Sequence, residues 1–209
     1  MNDCTVITPR QALIVASFAI AVIFAACSIS TGPGLTLSDK EYVAQGWQQF
    51  EAQHYDLAVT SFTSAYNAGA ASSVQGEALC GRGWSLMYKR DLQKAKSDFA
   101  TALAFTGLTP GVLNDLRVGS AFALYSLNAF PDAASNATAA LTNDPSYVFA
   151  HDSKVTMKRV RLLLSQSYYA NGQFALAATQ LDVIDPAQAP HSADPAILLG
   201  TISAILNTL

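Results

Sequence analysis

GWQQFEAQHYDLAVTSFTSA (residues 46–65) is answered 37 residues later by GWSLMYKRDLQKAKSDFATA (residues 83–102). Gly83, Leu92, Ala95, Phe99 and Ala102 stand where Gly46, Tyr55, Ala58, Phe62 and Ala65 stood, with the internal spacing unchanged. A third copy runs through Ala121, Phe130, Ala133, Ala137 and Ala140 and closes on Asn143-Asp144-Pro145. A fourth runs through Ser165, Tyr168, Phe174, Ala177, Leu181 and Ile184 and closes on Asp185-Pro186. Each unit is a small residue, then an Ala 12 positions on, then a large apolar residue four further on, with Ala137 the exception. From Ser38 onward the apolar residues recur at helical spacing, and Val/Ile-rich alternation is nearly absent.

Local signals mark where the helices start and stop. Ser38 and Glu41 form a capping box, which satisfies two free amides at a helix start. His54-Tyr55-Asp56 turns the chain into a second helix, and Asn67-Ala68-Gly69 ends it. Asp194 to Leu209 reads as a closing helix with Pro195 in its first turn and one apolar stripe of Ile197, Leu198, Ile202, Ile205 and Leu206. Repeats are expected at 39–69, 76–107, 114–145 and 158–186. Their spacings of 37, 38 and 44 residues imply long loops, with an extra turn over Phe149 to Thr156.

This phrase resembles the tetratricopeptide repeat, a helical hairpin of about 34 residues with a small residue on its first helix and an alanine on its second. The resemblance implies an all-α fold: an alpha-solenoid of about four stacked antiparallel helical hairpins over residues 38–209, plus a C-terminal capping helix. No hairpin can bury its face alone, so stability comes from stacking neighbours. It further implies a non-catalytic, protein-binding module. In such domains the first helices line a groove, and side chains one and four places after the small residue point into it. Those positions hold Trp47 and Phe50, Trp84 and Met87, Phe122 and Tyr125, Gln166 and Tyr169. Both tryptophans of the chain occupy the same repeat position. An aromatic strip for a partner segment is therefore expected. The alternative is that these rings pack internally, or lie under residues 28–37 or the closing helix. The basic and amide positions of the family's peptide-carboxylate clamp are largely missing: Val43, Ala44, Cys80, Gly81, Val118 and Gly119 stand there, with Lys40 and Arg159 the only bases.

The start of the chain carries a second pattern. Arg10 precedes an apolar run from Ala12 to Ala26, and Phe24-Ala25-Ala26-Cys27 closes it ahead of a Ser/Gly/Pro-rich stretch. Fifteen apolar residues fall short of the roughly 20 that span a bilayer. The pattern resembles bacterial lipoprotein signals, although Phe24 replaces the usual aliphatic residue and Asp3 and Cys4 thin the basic start. The resemblance implies a signal peptide over residues 1–26, acylation (including palmitate) of Cys27, and a flexible tether over 27–37. It also implies membrane attachment through lipid, in the cell envelope and most simply at an outer membrane facing the periplasm. A plain signal peptide and a tilted transmembrane anchor are the alternatives.

Composition narrows the function. Net charge is -3 and only 13% of residues are charged, with no basic stripe, which argues against nucleic acid. Once Cys4 is removed and Cys27 acylated, Cys80 is left alone and the fold must do without disulfides. His54, His151 and His191 are scattered, so no metal and no cofactor is expected. Ser85 lacks the glycine that a nucleophile elbow needs two places on, and no enzyme is expected. Lys154, Lys158, Arg159 and Arg161 form a basic patch in which Lys158 and Arg161 share a helix face, suited to an acidic partner or lipid head groups. The expected function is a periplasmic adaptor or assembly lipoprotein serving a pilus, secretion, outer-membrane or cell-wall complex. A lipid or small-molecule carrier and a structural oligomeric subunit are the rival readings.

Overall fold

The computed structural model describes residues 37–69 and 71–209, which belong to a compact unit, Thr36–Leu209. The expected signal peptide, Cys27 and the tether up to residue 36 lie outside the described residues. Nine α-helices run through the described residues: α1 (Asp39–Glu51), α2 (Tyr55–Ala68), α3 (Ser72–Tyr88), α4 (Leu92–Leu103), α5 (Pro110–Ser126), α6 (Phe130–Asn143), α7 (Met157–Ala170), α8 (Phe174–Ile184) and α9 (Pro195–Leu206). None is long and apolar enough to cross a membrane. Four antiparallel pairs, α1/α2, α3/α4, α5/α6 and α7/α8, stack in chain order, and α9 lies on α7 and α8. The first helices form one layer and the second helices the other. This is the all-α solenoid of hairpins that the repeated phrase implies.

Helix starts follow their caps. The Ser38 hydroxyl accepts from the Glu41 amide at 3.3 Å, and the Glu41 carboxylate accepts from the Ser38 amide at 2.7 Å. Thr109 and Asp194 cap α5 and α9, each with proline in the first turn, where its missing N–H is not needed. The period of 37 to 38 has a different cause from the long loops expected. Helices α3 and α5 are 17 residues each against 13 for α1, so the surplus residues extend the first helix of the hairpin.

The turns inside the hairpins repeat as strictly as the helices. Seven places after each small residue the backbone is left-handed: Gln53 (φ 62°), Arg90 (φ 63°), Asn128 (φ 61°) and Gly172 (φ 71°). At each turn the next amide reaches back over a full turn, as from His54 to the Gln49 carbonyl at 2.8 Å and from Asp91 to Leu86 at 2.9 Å. This closes the last carbonyls of the helix, the usual role of a left-handed residue after a helix end. Only Gly172 adopts that conformation without steric cost.

Packing explains the phrase itself. Phe62 and Phe99 are fully buried, each wedged between the helix before it and the helix after it. A Cβ on Gly46 would sit 2.6 Å from the Phe62 ring, and one on Gly83 would sit 2.5 Å from Phe99. The same rings press on Gly81 and Gly119 in the following hairpins. Where the third unit has Ala137 in place of a ring, the residue matching Gly81 and Gly119 is Leu163, 3% exposed, which supplies volume from the other side. Cys80 is buried, and burial pushes its thiol well above the ordinary range, so it behaves as a small core residue. The stripe expected on α9 holds only in part. Leu198, Ile202 and Ile205 are buried, whereas Ile197 and Leu206 are exposed.

Candidate functional site

Residues 144–156, between α6 and α7, form a strap that folds back over the first-helix layer. The Asp144 carboxylate accepts from the amide (3.0 Å) and hydroxyl (2.9 Å) of Ser146 and starts the turn. The Phe149 amide donates to the Val155 carbonyl at 2.9 Å, and Met157 donates to Tyr147 at 2.6 Å, closing a short hairpin with a bridge between Val148 and Thr156. Extended backbone sends alternate side chains to opposite sides. Val148 is accordingly 55% exposed, while Tyr147 and Phe149 are buried.

Each inward side chain has a partner on a different hairpin. The Tyr147 hydroxyl donates to the Asp115 carboxylate at 2.7 Å. Phe149 stacks on Trp84, centroids 4.4 Å apart and planes 21° apart, with its edges toward Trp47 and Phe50. His151 lies flat on Trp47 at 3.7 Å and 2°, and its Nδ1 pairs with Glu51 at 2.8 Å. The Tyr88 hydroxyl donates to Asp152. The Trp84 indole N–H donates to the Asp115 carbonyl at 3.1 Å. Burial pushes the Asp115 carboxyl up to about 6, and the Tyr147 hydrogen bond opposes that shift. Burial also raises the hydroxyls of Tyr88 and Tyr147, helped by the carboxylates beside them.

The strap changes the fate of the expected aromatic strip. Trp47, Phe50 and Trp84 are buried, so the open row expected across the first two hairpins is filled by the chain itself. Among the described residues the cover comes from the strap, whose rings supply the contacts, and not from the closing helix; residues 28–36, the other cover expected, lie outside the described residues. Tyr125 is half-buried against Phe130 of its own hairpin, centroids 5.5 Å apart. Tyr169 packs on Phe174 and donates to the Pro195 carbonyl at 3.1 Å, which ties it to α9. Gln166 is half-buried near the same end. Of the eight positions, Met87 and Phe122 remain open, together lining a pit of about 200 Å³ with Trp84, Tyr88 and Val155.

That pit adjoins a larger cleft of about 500 Å³ sharing Tyr88, Phe122 and Val155. Its apolar wall includes Tyr55 and Tyr88, stacked at 5.0 Å, and its charged rim holds Glu51, Asp152, Lys154 and Arg159. The two carboxylates already accept from His151 and Tyr88, whereas neither base has an acidic partner within 4.0 Å among the described residues. The expected basic patch is therefore divided. Lys154 and Arg159 face the cleft, Lys158 is exposed, and the guanidinium of Arg161 donates to Gln180 on α8 at 2.9 Å. Of the strap, the sequence offered an extra turn over Phe149 to Thr156 and Lys154 as a basic residue; Tyr55, Tyr88, Tyr147, Phe149 and His151 were not among its candidate site residues. The alternation Tyr147-Val148-Phe149-Ala150-His151 inside the longest gap between repeats is the signal that would have found the strap. Among the described residues no group of three or more His, Cys, Asp or Glu side chains gathers as a metal site.

No protein-family model matches this chain, and no curated protein matches it. Among solved structures, a tetratricopeptide repeat protein from Parabacteroides merdae superimposes with a TM-score of 0.57 at 12% identity, covering 81% of this chain. This chain spans 60% of that protein's length. A thermophilic tetratricopeptide protein from Thermus thermophilus matches at a TM-score of 0.39 and 16% identity, over 81% of this chain and the whole of that one. The first of these likenesses establishes a tetratricopeptide-like fold.

Proposed function

We propose that this chain is a non-catalytic adaptor of the cell envelope, fixed to a membrane by acylation of Cys27, that holds a segment of another protein in the cleft beside the strap. The observation that carries this reading is the cleft itself, about 500 Å³, with a tyrosine wall, two bases that have no acidic partner among the described residues, and an adjoining apolar pit. A partner segment would place a bulky apolar side chain in the pit and an acidic or carbonyl group against Arg159 and Lys154, the mixture of anchor and polar rim usual at protein contacts. The strap narrows the site to one end of the layer, so the segment enters at an edge and does not run the length of the solenoid. The Phe24-Ala25-Ala26-Cys27 sequence supports the envelope location, with an outer membrane facing the periplasm the simplest destination. Assembly of a pilus, secretion, outer-membrane or cell-wall complex suits a scaffold of this kind. The cleft is large enough for a small molecule, but the carrier reading fits less well, since its rim is charged (Glu51, Asp152, Lys154, Arg159) and its apolar part is confined to the pit of about 200 Å³.

Two experiments test this. A photocrosslinking amino acid at Phe122, introduced in the native cell, should yield a discrete protein adduct that the same group at exposed Thr142 on α6 does not. Adducts with lipid alone would favour the carrier. Separately, Cys27→Ser should abolish incorporation of labelled palmitate and release the protein from the membrane fraction; retention of label would refute the anchor.

A further inference from the structure

Helix α9 stands at the phase of the first helix of a fifth hairpin, and among the described residues no second helix packs along it. Gly200 follows Ser165 by 35 residues, at the phase of the small residues Gly46, Gly83, Ala121 and Ser165. Two places earlier, Leu198 is fully buried where Gly81, Gly119 and Leu163 meet the preceding hairpin. The four earlier first helices each pack along the helix that follows them, while among the described helices α9 packs on α7 and α8 alone.

The consequence is readable residue by residue. Three places before the small residue stand Val43, Cys80, Val118 and Leu162, all at most 6% exposed, and the matching Ile197 is 59% exposed. A Cβ on Gly46 or Gly83 would strike the ring of the partnering helix, yet one on Gly200 would meet nothing within 4 Å. Ile197, Gly200, Thr201 and Ala204 line one side of a trough of about 530 Å³. The polar groups on this exposed side are already satisfied: Thr201 and Ser203 donate to the carbonyls of Ile197 and Leu199 at 3.1 and 2.9 Å. Covering the face would therefore strand no hydroxyl. Helix α9 itself carries no charged residue, and the polar side of the trough is the facing loop, with Asp185, Gln188, His191 and Ser192, which an occupant would meet with its own polar face.

We infer that this face of α9 is a docking site for one amphipathic helix of another protein, which completes the fifth hairpin. The chemistry of the occupant is given by three of the four filled copies of the same site, the unit with Ala137 being the exception. It carries a small residue and, four places on, a Phe or Leu to lie against Gly200, as Ala58 and Phe62, Ala95 and Phe99, and Ala177 and Leu181 do. The exposed side of α9 itself carries Ile197, Leu199 and Leu206, but no small residue of α9 is followed four places on by a Phe or Leu, which argues against a second copy of α9 as the occupant. This site is separate from the cleft beside the strap, and neither depends on the other.

The test uses the purified full chain and a fluorescent synthetic peptide of residues 91–106, which presents Ala95, Phe99 and Ala102. Saturable binding is expected, at least tenfold weaker for the chain with Gly200→Leu and for the peptide with Phe99→Ser. Gly200→Leu should not lower the thermal midpoint, since the position is open, and that separates a blocked site from a damaged fold. No saturable binding, or binding unchanged by Gly200→Leu, would overturn the inference. So would a natural chain that sediments as a dimer and becomes monomeric with Gly200→Leu, which would assign the face to a second copy. Binding to phosphatidylethanolamine–phosphatidylglycerol vesicles that Ile197→Asp abolishes, with no peptide binding, would assign it to lipid and refute the helix.

Discussion

Replacing Phe149 with alanine isolates the strap. The ring is fully buried, stacks on Trp84, and shows its edge to Trp47 and Phe50, with centroids 6.0 and 6.1 Å away. Removing a buried phenylalanine costs about 3–5 kcal/mol when the cavity cannot collapse. Here the strap is tied on either side by the Tyr147–Asp115 and His151–Glu51 contacts, which hinder collapse and favour the upper part of that range. For an m-value of about 2–3 kcal/mol/M, a loss of about 4 kcal/mol moves the urea midpoint down by roughly 1.3–2 M. The chain supplies its own reporter, because its two tryptophans, Trp47 and Trp84, both lie beneath this ring. Iodide quenching of their fluorescence should rise severalfold in Phe149→Ala, while the far-ultraviolet dichroism of the helices stays close to that of the natural chain. If the midpoint moves by less than about 0.3 M and quenching is unchanged, the strap is not seated on the tryptophans, and the account of a closed inner face fails.

Further outcomes follow from the same contacts. Gly46→Ala should cost about 1–3 kcal/mol by forcing a Cβ into the Phe62 ring, whereas Gly200→Ala should gain about 0.5–1 kcal/mol by helix propensity alone; urea melts of both variants compare the two signs. Arg90→Gly should stabilise by about 1 kcal/mol, since its left-handed backbone costs a non-glycine residue about that much, and unchanged or lower stability would contradict the turn geometry. The Asp115 carboxyl titrates at about 6 when folded against 3.8 ordinarily, so the folded state binds its proton more tightly and this group's contribution is lost as pH rises from about 4 to 6. Asp115→Asn should therefore be more stable than the natural chain at pH 7, by an upper bound of roughly 3 kcal/mol, and should lose that advantage at pH 4. A difference independent of pH would remove the titration from the explanation.

The hairpins were legible because their information is local. A small residue, an alanine 12 places on and a ring four further on are all that two neighbouring helices need for close approach. The single irregular unit, with Ala137, is repaired by a residue in the next hairpin, Leu163, which a repeat-by-repeat reading passes over. The left-handed turns escaped notice since Gln53 and Arg90 carry no glycine signature, although their backbones match Gly172. The positions of the groove residues were also legible, because helical phase fixes which side of the first helix they occupy. Their exposure was not, since a helix's own sequence does not record what lies on top of it.

Taken alone, the order of residues determined an all-α stack of hairpins, its helix starts, its wedges of Phe62 and Phe99, and the place of each tryptophan within its unit. Tertiary structure alone decided that Trp47 and Trp84 are closed over, that the open cleft lies beside Tyr88 and Arg159, and that one flank of α9 is bare among the described residues. The reason is sequence distance. Periodicity reports contacts a few turns apart, while His151 meets Glu51 across 100 residues and Tyr147 meets Asp115 across 32, through single contacts that do not recur with the repeat.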